Sequence, residues 1–241
     1  MNYKHVAIII PIFNERNNIL TLIDLLLKKV PGANIVVVDD NSPDGSALAI
    51  EKNFGKINKV HLLKGVRKMG RGNAVFRGFF YAYQKCSSQI FVEMDADHSH
   101  KPQLVPQLVN LVTANTVVCA SRYLKDSRIS GWSRLRIIFS RLSNFIIKNI
   151  LNNPLMDSTN GFRAYPKKAI EVFQKHSPIT SNYLVLSETV TLLANHNFKF
   201  LEVPSHFPNR TVGKSNTTPI LATQSLVDLF MIWWHYKLWR K

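Results

Sequence analysis

The stretch IFVEMDADHSHKP, residues 90–102, runs from an apolar segment into two aspartates one residue apart and then to a proline where a helix can begin. An earlier stretch, IVVVDDNSPDGS at 35–46, is built the same way: a β-branched run ends in Asp39 and Asp40, and turn residues lead into a helical pattern. Outward from these two, apolar runs recur at Val6–Ile10, Ile35–Val38, Val60–Leu63, Ile90–Met94 and Val117–Ala120. The first four lack polar alternation, which predicts strands covered on both faces by helices. Helical patterns lie between them near Asn17–Lys28, Gly45–Asn53, Gly70–Tyr83 and Gln103–Val112. A spacing of roughly 25 to 30 residues is that of a βαβ unit. The expected fold is therefore α/β, with a mostly parallel central sheet flanked by helices. Ligands bind such sheets at the carboxyl ends of the strands, so both acidic pairs should face one crevice.

Two carboxylates at i and i+2 past a strand end can share one hard divalent cation, and Mg²⁺ or Mn²⁺ held by Asp95 and Asp97 would neutralise a nucleotide diphosphate. His98 and His100 flank Ser99 beside this pair and could either ligate a metal or cap the loop. A dinucleotide site fails at the first turn, where PIFNERNN carries no glycine for close approach to a pyrophosphate. No Walker A pattern is present. The glycines of RKMGRGNAVFRG, residues 67–78, could offer amides to phosphate or simply start a helix.

With 241 residues and 46% hydrophobic content the chain can bury a core, which excludes a disordered regulator or a disulfide-stapled scaffold. Cys86 and Cys119 have no metal-ligand spacing. The apolar stretch of the N-terminus, Val6–Phe13, is too short and too soon interrupted for a secretion signal. The net charge of +16 calls for a polyanionic partner, and its distribution narrows the choice. Arg122, Lys125, Arg128, Arg134, Arg136, Arg141 and Lys148 fall in one span against the single acid Asp126. A helix expected from Ser133 to Leu151 puts Arg134, Arg141 and Lys148 on one stripe and Arg136 with Ser140 on another, with Leu135, Ile138, Leu142, Phe145 and Ile146 forming an apolar arc between them. That arc could pack on the domain, and the basic face could be merely solvated or could bind anions. A last helix, Thr218–Trp239, ends in LVDLFMIWWHYKLWRK and is too polar to span a bilayer. Its aromatic and basic residues suit either a membrane interface or docking on the domain.

Taken in order, PIFNERNN, VVDDNSPDGS (37–46), RKMGRGNAVFRG (67–78), MDADHSHKP (94–102), SRY (121–123), GWSRLRIIFSRLSNF (131–145), DSTNGFRAY (157–165) and EVPSHFPNRTVGKS (202–215) make the chain resemble the family-2 glycosyltransferases of GT-A fold. Within them it resembles the dolichyl-phosphate or polyprenyl-phosphate mannose synthases. The resemblance implies a catalytic domain over 1–215, with residues 131–152 as an amphipathic helix meeting the acceptor and the membrane surface. A C-terminal amphipathic helix over 216–241 would then follow, without a transmembrane span. It also implies roles by position. Pro11, Asn14, Glu15, Asp39 and Asp40 would hold the base and ribose of the sugar nucleotide, and Asp95, Ala96 and Asp97 its diphosphate and metal. Arg210 and Lys214 would close over the donor. Arg122, Arg136 and Ser140 would grip a lipid phosphate, and Arg163 and Glu188 would shape the site. Three positions depart from the family pattern: Arg71 stands in the glycine loop in place of an apolar residue, His98 replaces an aliphatic residue, and Ser215-Asn216 replaces a Ser-Lys pair.

The implied reaction moves mannose from GDP-mannose to a polyprenyl monophosphate with inversion at C1, Asp97, Arg122 and Arg136 being the candidate catalytic residues. The enzyme would be cytoplasmic and peripheral on an anionic membrane face, acting alone or with a small membrane partner. A UDP-sugar donor is the competing reading; transfer to a hydroxyl acceptor would also need a general base and leave Arg122, Arg136 and Ser140 unexplained. A nucleic-acid-binding module is favoured by net charge alone and gives no use to two acidic pairs at strand ends.

Overall fold

The computed structural model describes residues 2–180, 184–208 and 219–239, with side chains in the last segment described from 225 to 237. The chain begins β1 (Val6–Ile12), α1 (Arg16–Lys29), β2 (Asn34–Asp39), α2 (Ser46–Phe54), β3 (Val60–Lys64), α3 (Arg71–Lys85) and β4 (Ile90–Glu93). A short 3₁₀ turn at Pro102–Leu104, α4 (Val105–Leu111) and β5 (Thr116–Ser121) follow. These match the elements expected from the apolar runs within a few residues at each end.

The seven-stranded sheet has the order β3-β2-β1-β4-β7-β5-β8, where β7 is Arg163–Pro166 and β8 is Lys199–Pro204. All neighbours pair in parallel except β7, which runs antiparallel between β4 and β5. The sheet is thus mostly parallel, as expected, with one inserted strand that no apolar run announces. A long excursion separates β5 from β7. It holds β6 (Arg128–Ile129), which pairs with β9 (His206–Phe207), and the basic helix α5 (Arg134–Leu151). The remaining helices are α6 (Lys167–Lys175), α7 (Val185–Asn195) and α8 (Pro219–Trp239).

Alternate residues of β1 and β2 supply two separate cores. Ile8, Ile10, Ile35 and Val37 pack with Ile19, Leu22, Ile23 and Leu26 of α1. Ala7, Ile9, Val36 and Val38 pack on the other face with Val75 and Phe79 of α3 and with residues of α5 to α8. Helix α3 lies close on that face because Gly78 has no side chain. A Cβ there would stand 2.6 Å from Cγ2 of Ile9 and 3.1 Å from Cγ2 of Val38. Gly78→Ala is expected to destabilise the fold by about 1–3 kcal/mol through overpacking, read as a lowered denaturation midpoint; an unchanged midpoint would contradict the tight seat of α3.

Helix α5 departs from its expected packing. Its buried residues are Asn144, Ile147 and Leu151, whereas Leu135, Ile138, Phe139, Leu142 and Phe145 are 79%, 61%, 59%, 52% and 65% exposed. The physical reason lies in Asn144. Its amide donates to Thr159 Oγ1 at 3.1 Å and accepts from the N–H of Ser158 at 2.8 Å, so this face, and not the apolar arc, meets the returning chain. Helix α8 packs on α5 and α7. Leu229, Ile232 and Tyr236 are buried there, and Leu226, Val227, Phe230, Met231 and Trp234 point outward. Tyr236 donates to Glu188 Oε1 at 3.2 Å, and Glu188 also accepts from the N–H groups of Ile179 and Thr180. Glu188 is therefore a buried fastener for α8. Both helices leave apolar residues outward, and the C-terminal helix docks on the domain by its other side. Among the described residues no helix is long and apolar enough to cross a membrane. Cys86 and Cys119 are both free thiols.

Candidate active site

The carboxyl ends of β1, β2 and β4 meet along one rim. After β1, Asn14 adopts a left-handed conformation (φ 60°) and its N–H donates to Ser42 Oγ at 2.9 Å. Ser42 in turn donates from its hydroxyl and its N–H to the buried Asp39. Pro11 lies at the end of β1 opposite Val38, and Glu15 precedes α1 and accepts from Asn18 Nδ2 at 2.7 Å. Asp40 is also buried; its Oδ2 accepts from the N–H groups of Met69 and Gly70, each at 3.0 Å. One acid of the first pair thus braces the first two loops against each other, and the other pins the start of α3.

The second pair leaves β4. Asp97 is buried and its Oδ1 accepts from Ser99 N–H at 3.1 Å and Ser99 Oγ at 2.5 Å, while Ala96 is buried between the two acids. Asp95 keeps a third of its side chain exposed and is held by Arg71, whose Nε and Nη2 donate to Oδ1 at 3.0 and 2.8 Å. Nη1 of Arg71 reaches the buried Glu93 at 2.5 Å. Burial alone would lower the Arg71 pKa, but Asp95 and Glu93 beside it raise it above the ordinary arginine value, so the group is a fixed cation.

His100 resolves the choice between ligand and cap. Its Nδ1 accepts from Asp95 N–H at 2.9 Å, which leaves Nε2 as the donor to Asn160 Oδ1 at 2.9 Å. Asn160 is oriented by its own donation to the carbonyl of Ala120. Burial lowers the His100 pKa despite Asp95 and Asp97 nearby, so the ring is neutral with both nitrogens committed. It caps the acidic loop. His98, with φ 61°, contacts Thr21 Oγ1 at 3.3 Å.

His100 also begins an aromatic wall that leads to the cations. Its ring stacks on Phe162 at 4.9 Å and meets Phe207 at 5.7 Å, and Phe207 meets Trp132 edge-on at 5.6 Å. The Arg122 guanidinium lies 5.3 to 5.4 Å from the rings of Phe207, Tyr123 and Trp132, and that of Arg136 lies 3.8 Å over Trp132. Arg122 is clamped: Nε and Nη2 donate to Asp157 at 2.7 and 2.5 Å, and Nη2 also to Thr159 Oγ1. Its Nη1 has no hydrogen-bond partner among the described residues. Ser140 accepts from Tyr123 Oη at 2.5 Å, so the third candidate for the lipid phosphate stands in the same cluster.

The profile of glycosyl transferase family 2 matches residues 7–173. The chain is 32% identical over 214 residues to polyprenol monophosphomannose synthase of Mycolicibacterium smegmatis, an alignment spanning 88% of this chain and 80% of that protein. The chain belongs to glycosyl transferase family 2. The undecaprenyl-phosphate mannosyltransferase of Micrococcus luteus is 28% identical over 224 residues, covering 93% and 92% of the two chains. Among solved structures, glucosyl-3-phosphoglycerate synthase of Mycobacterium tuberculosis with UDP superposes with a TM-score of 0.65 at 18% identity, over 95% of this chain and 79% of that one. It shares the GT-A fold, and other structures of that protein hold Mn²⁺ or Mg²⁺ with UDP.

In this glycosyltransferase the expected residues divide by location. Pro11, Asn14, Glu15, Asp39, Asp40, Asp95, Ala96 and Asp97 share the rim, and Arg122, Arg136 and Ser140 share the cluster beyond the aromatic wall. Arg210 and Lys214 lie outside the described residues. Arg163, fully buried, donates to the carbonyls of Asn160, Ser158 and Leu186, so it ties β7 to α7. Sequence reasoning missed Asp157 and Trp132 as partners of the cations, and Arg71 as the partner of Asp95. Asp157 and Trp132 were visible within the DSTNGFRAY and GWSRLR stretches, but nothing in the spacing reports the contact of Asp157 with Arg122 across 35 residues.

The donor set suits a magnesium-like ion that shares its ligands with a nucleotide. Among the described residues no group of three or more His, Cys, Asp or Glu converges on one point; the two hard carboxylates that follow β4 are the partly exposed Asp95 and the buried Asp97. Such a site would be completed by phosphate and water oxygens.

Proposed function

We propose that this glycosyltransferase moves mannose from GDP-mannose to a polyprenyl monophosphate, forming a β-linked lipid phosphate sugar. The observation that carries the reading is the juxtaposition of the Arg122, Arg136 and Ser140 cluster with the Asp95–Asp97 rim, joined by one aromatic wall. The names of the two mannosyl-transferring relatives support the same acceptor class.

The chemistry asks little of the protein by way of bases. A phosphate monoester is already anionic near neutral pH, so its oxygen can attack C1 of the sugar directly. The new C1–O bond forms as the bond from C1 to the diphosphate breaks, and the electron pair leaves with the nucleoside diphosphate. The chain's task is to align acceptor and donor and to stabilise charge. Arg122 and Arg136 would hold the acceptor phosphate, with Nη1 of Arg122 and the exposed Arg136 as the groups able to reach it. Asp95 and Asp97 would hold Mg²⁺ or Mn²⁺, which when bound neutralises the departing diphosphate. Asn14, Asp39 and their neighbours would seat the nucleoside, and Arg210 and Lys214 would cover the diphosphate.

The deciding experiment offers the protein each labelled nucleotide sugar with a divalent cation and a short polyprenyl phosphate. Label from GDP-mannose should enter the organic phase; transfer only from a UDP-sugar would replace the donor assignment. Arg136, exposed and stacked 3.8 Å over the Trp132 ring, gives a second test of the acceptor. Arg136→Ala should raise the acceptor KM by about tenfold, the scale of one charge-assisted contact, with nucleotide affinity unchanged. Equal loss of both would place Arg136 at the donor.

A lipid acceptor also requires the protein to meet a membrane. The outward residues of α5 and α8 form apolar surface beside the exposed cations Arg134, Arg141 and Lys148. That combination suits partial insertion at an anionic headgroup layer. Replacing Phe139 and Phe145 together with serine should release the protein from anionic vesicles in a flotation assay while leaving its thermal midpoint nearly unchanged. Retention on the vesicles would place the membrane contact elsewhere.

A further inference from the structure

Arg71 has no part in the roles assigned so far, yet it is the best-tied cation on the rim. It opens α3, directly after Gly70, whose N–H is held by Asp40, and it bridges Asp95 to Glu93. Glu93 is locked in turn, since its second oxygen accepts from Tyr165 Oη at 3.1 Å. The guanidinium lies against the backbone of Gly161, where a Cβ would fall 2.1 Å from Nη2. A side chain at 161 would therefore displace it. The far oxygen of Asp95 stands 3.9 Å from Nε2 of His100, whose Nδ1 accepts from the Asp95 N–H. Arg71 is thus a fixed positive charge in contact with Asp95, and it occupies one of that carboxylate's oxygens twice over.

A divalent ion on Asp95 must share the carboxylate with this guanidinium and sit beside it. Like charges at such a separation in a partly buried site repel strongly. A diphosphate reverses the balance, because its negative charge is attracted by both cations.

We propose that Arg71 is a resident counter-cation that positions Asp95 and weakens divalent binding to the nucleotide-free protein, so that the metal is retained together with a nucleoside diphosphate and not before it. The inference rests on the metal assignment made above. It makes Arg71 a positioning residue and predicts that the metal–nucleotide complex is the species taken up.

Removing Arg71 alone would strand the buried Glu93, so the comparison is between Glu93→Gln and the double variant Arg71→Leu with Glu93→Gln, which differ only in the cation. Binding of Mn²⁺ alone, followed by loss of the free-ion electron paramagnetic resonance signal, should be at least about tenfold tighter in the double variant. Equal or weaker binding would overturn the proposal. Arg71→Lys keeps the charge and should hold Mn²⁺ alone no more than about threefold more tightly than the parent; a gain of tenfold would also overturn it. The parent protein should bind Mn²⁺ more tightly with GDP than without, by tenfold or more. If Asp97→Ala leaves that GDP-supported binding intact, the metal assignment itself fails. If Asp97→Ala removes it while Arg71 makes no difference, only the role of Arg71 fails.

Discussion

Asp97→Ala should reduce divalent-dependent sugar transfer by at least about a hundredfold, and by a thousandfold if the metal contributes some 4 kcal/mol to the departing diphosphate. The fold should survive. Asp97 lies in a loop after β4 and accepts from Ser99 N–H and Oγ, a local cap whose loss costs about 1–2 kcal/mol. Asp97→Asn sharpens the result, since the amide oxygen can still accept from Ser99 while the negative charge is gone. Both variants should lose activity alike, and the asparagine variant should keep the parental thermal midpoint. Near-normal turnover in either would sink the assignment of this acidic pair to metal and diphosphate.

Arg122→Ala is expected to act on stability as strongly as on catalysis. Asp157 is fully buried, and its carboxylate is met on both oxygens by Arg122 side-chain nitrogens and by the Arg122 N–H at 2.9 Å. Deleting one partner of a buried pair leaves an uncompensated charge and costs about 3–5 kcal/mol. For a chain of this size that is a fall of roughly 6–20 °C in the midpoint. The acceptor role must be separated from this loss. Arg122→Met with Asp157→Asn removes both charges and should recover most of the midpoint, yet acceptor use should stay at least tenfold impaired. If acceptor use recovers along with the fold, Arg122 is a scaffold residue and the lipid phosphate is held by Arg136 and its neighbours alone.

These two experiments show why the sequence was legible in some places and silent in others. Strands β1 to β5 and helices α1 to α5 could be read because a parallel sheet covered on both faces demands continuous apolar runs with helices between them. Strand β7 could not. Its RAYP is four residues long, opens with an arginine and ends in a proline, and it is a strand only because β4 and β5 offer it a slot. Edge strand β8, KFLEVP, alternates polar and apolar residues and gives a weak signal, and α7 is buried almost all round, its Ser187, Glu188 and Thr191 included, so its polar residues mark no solvent face. In the site, the acids were legible as pairs at strand ends and the cations as a local excess. Their partners were not. The contacts of Arg71 with Asp95 and of Arg122 with Asp157 join residues 24 and 35 positions apart, and only the folded sheet brings them together.

The central antiparallel strand carries a consequence for the order in which the molecule can assemble. Strands β3, β2, β1 and β4 come from consecutive βαβ steps and can pair as each is made. Strands β4 and β5 cannot close on each other; the place between them waits for a strand that arrives only after the whole basic excursion has been laid down. Closing that long loop is an entropic cost met late, and the Arg122–Asp157 clamp joins its two feet. The half of the molecule built on β1 to β4 thus comes from near neighbours in the chain, whereas the half that carries α5 depends on a distant return. Local opening should run in the reverse sense: the α5 side should breathe at the clamp while the β1 to β4 side stays shut.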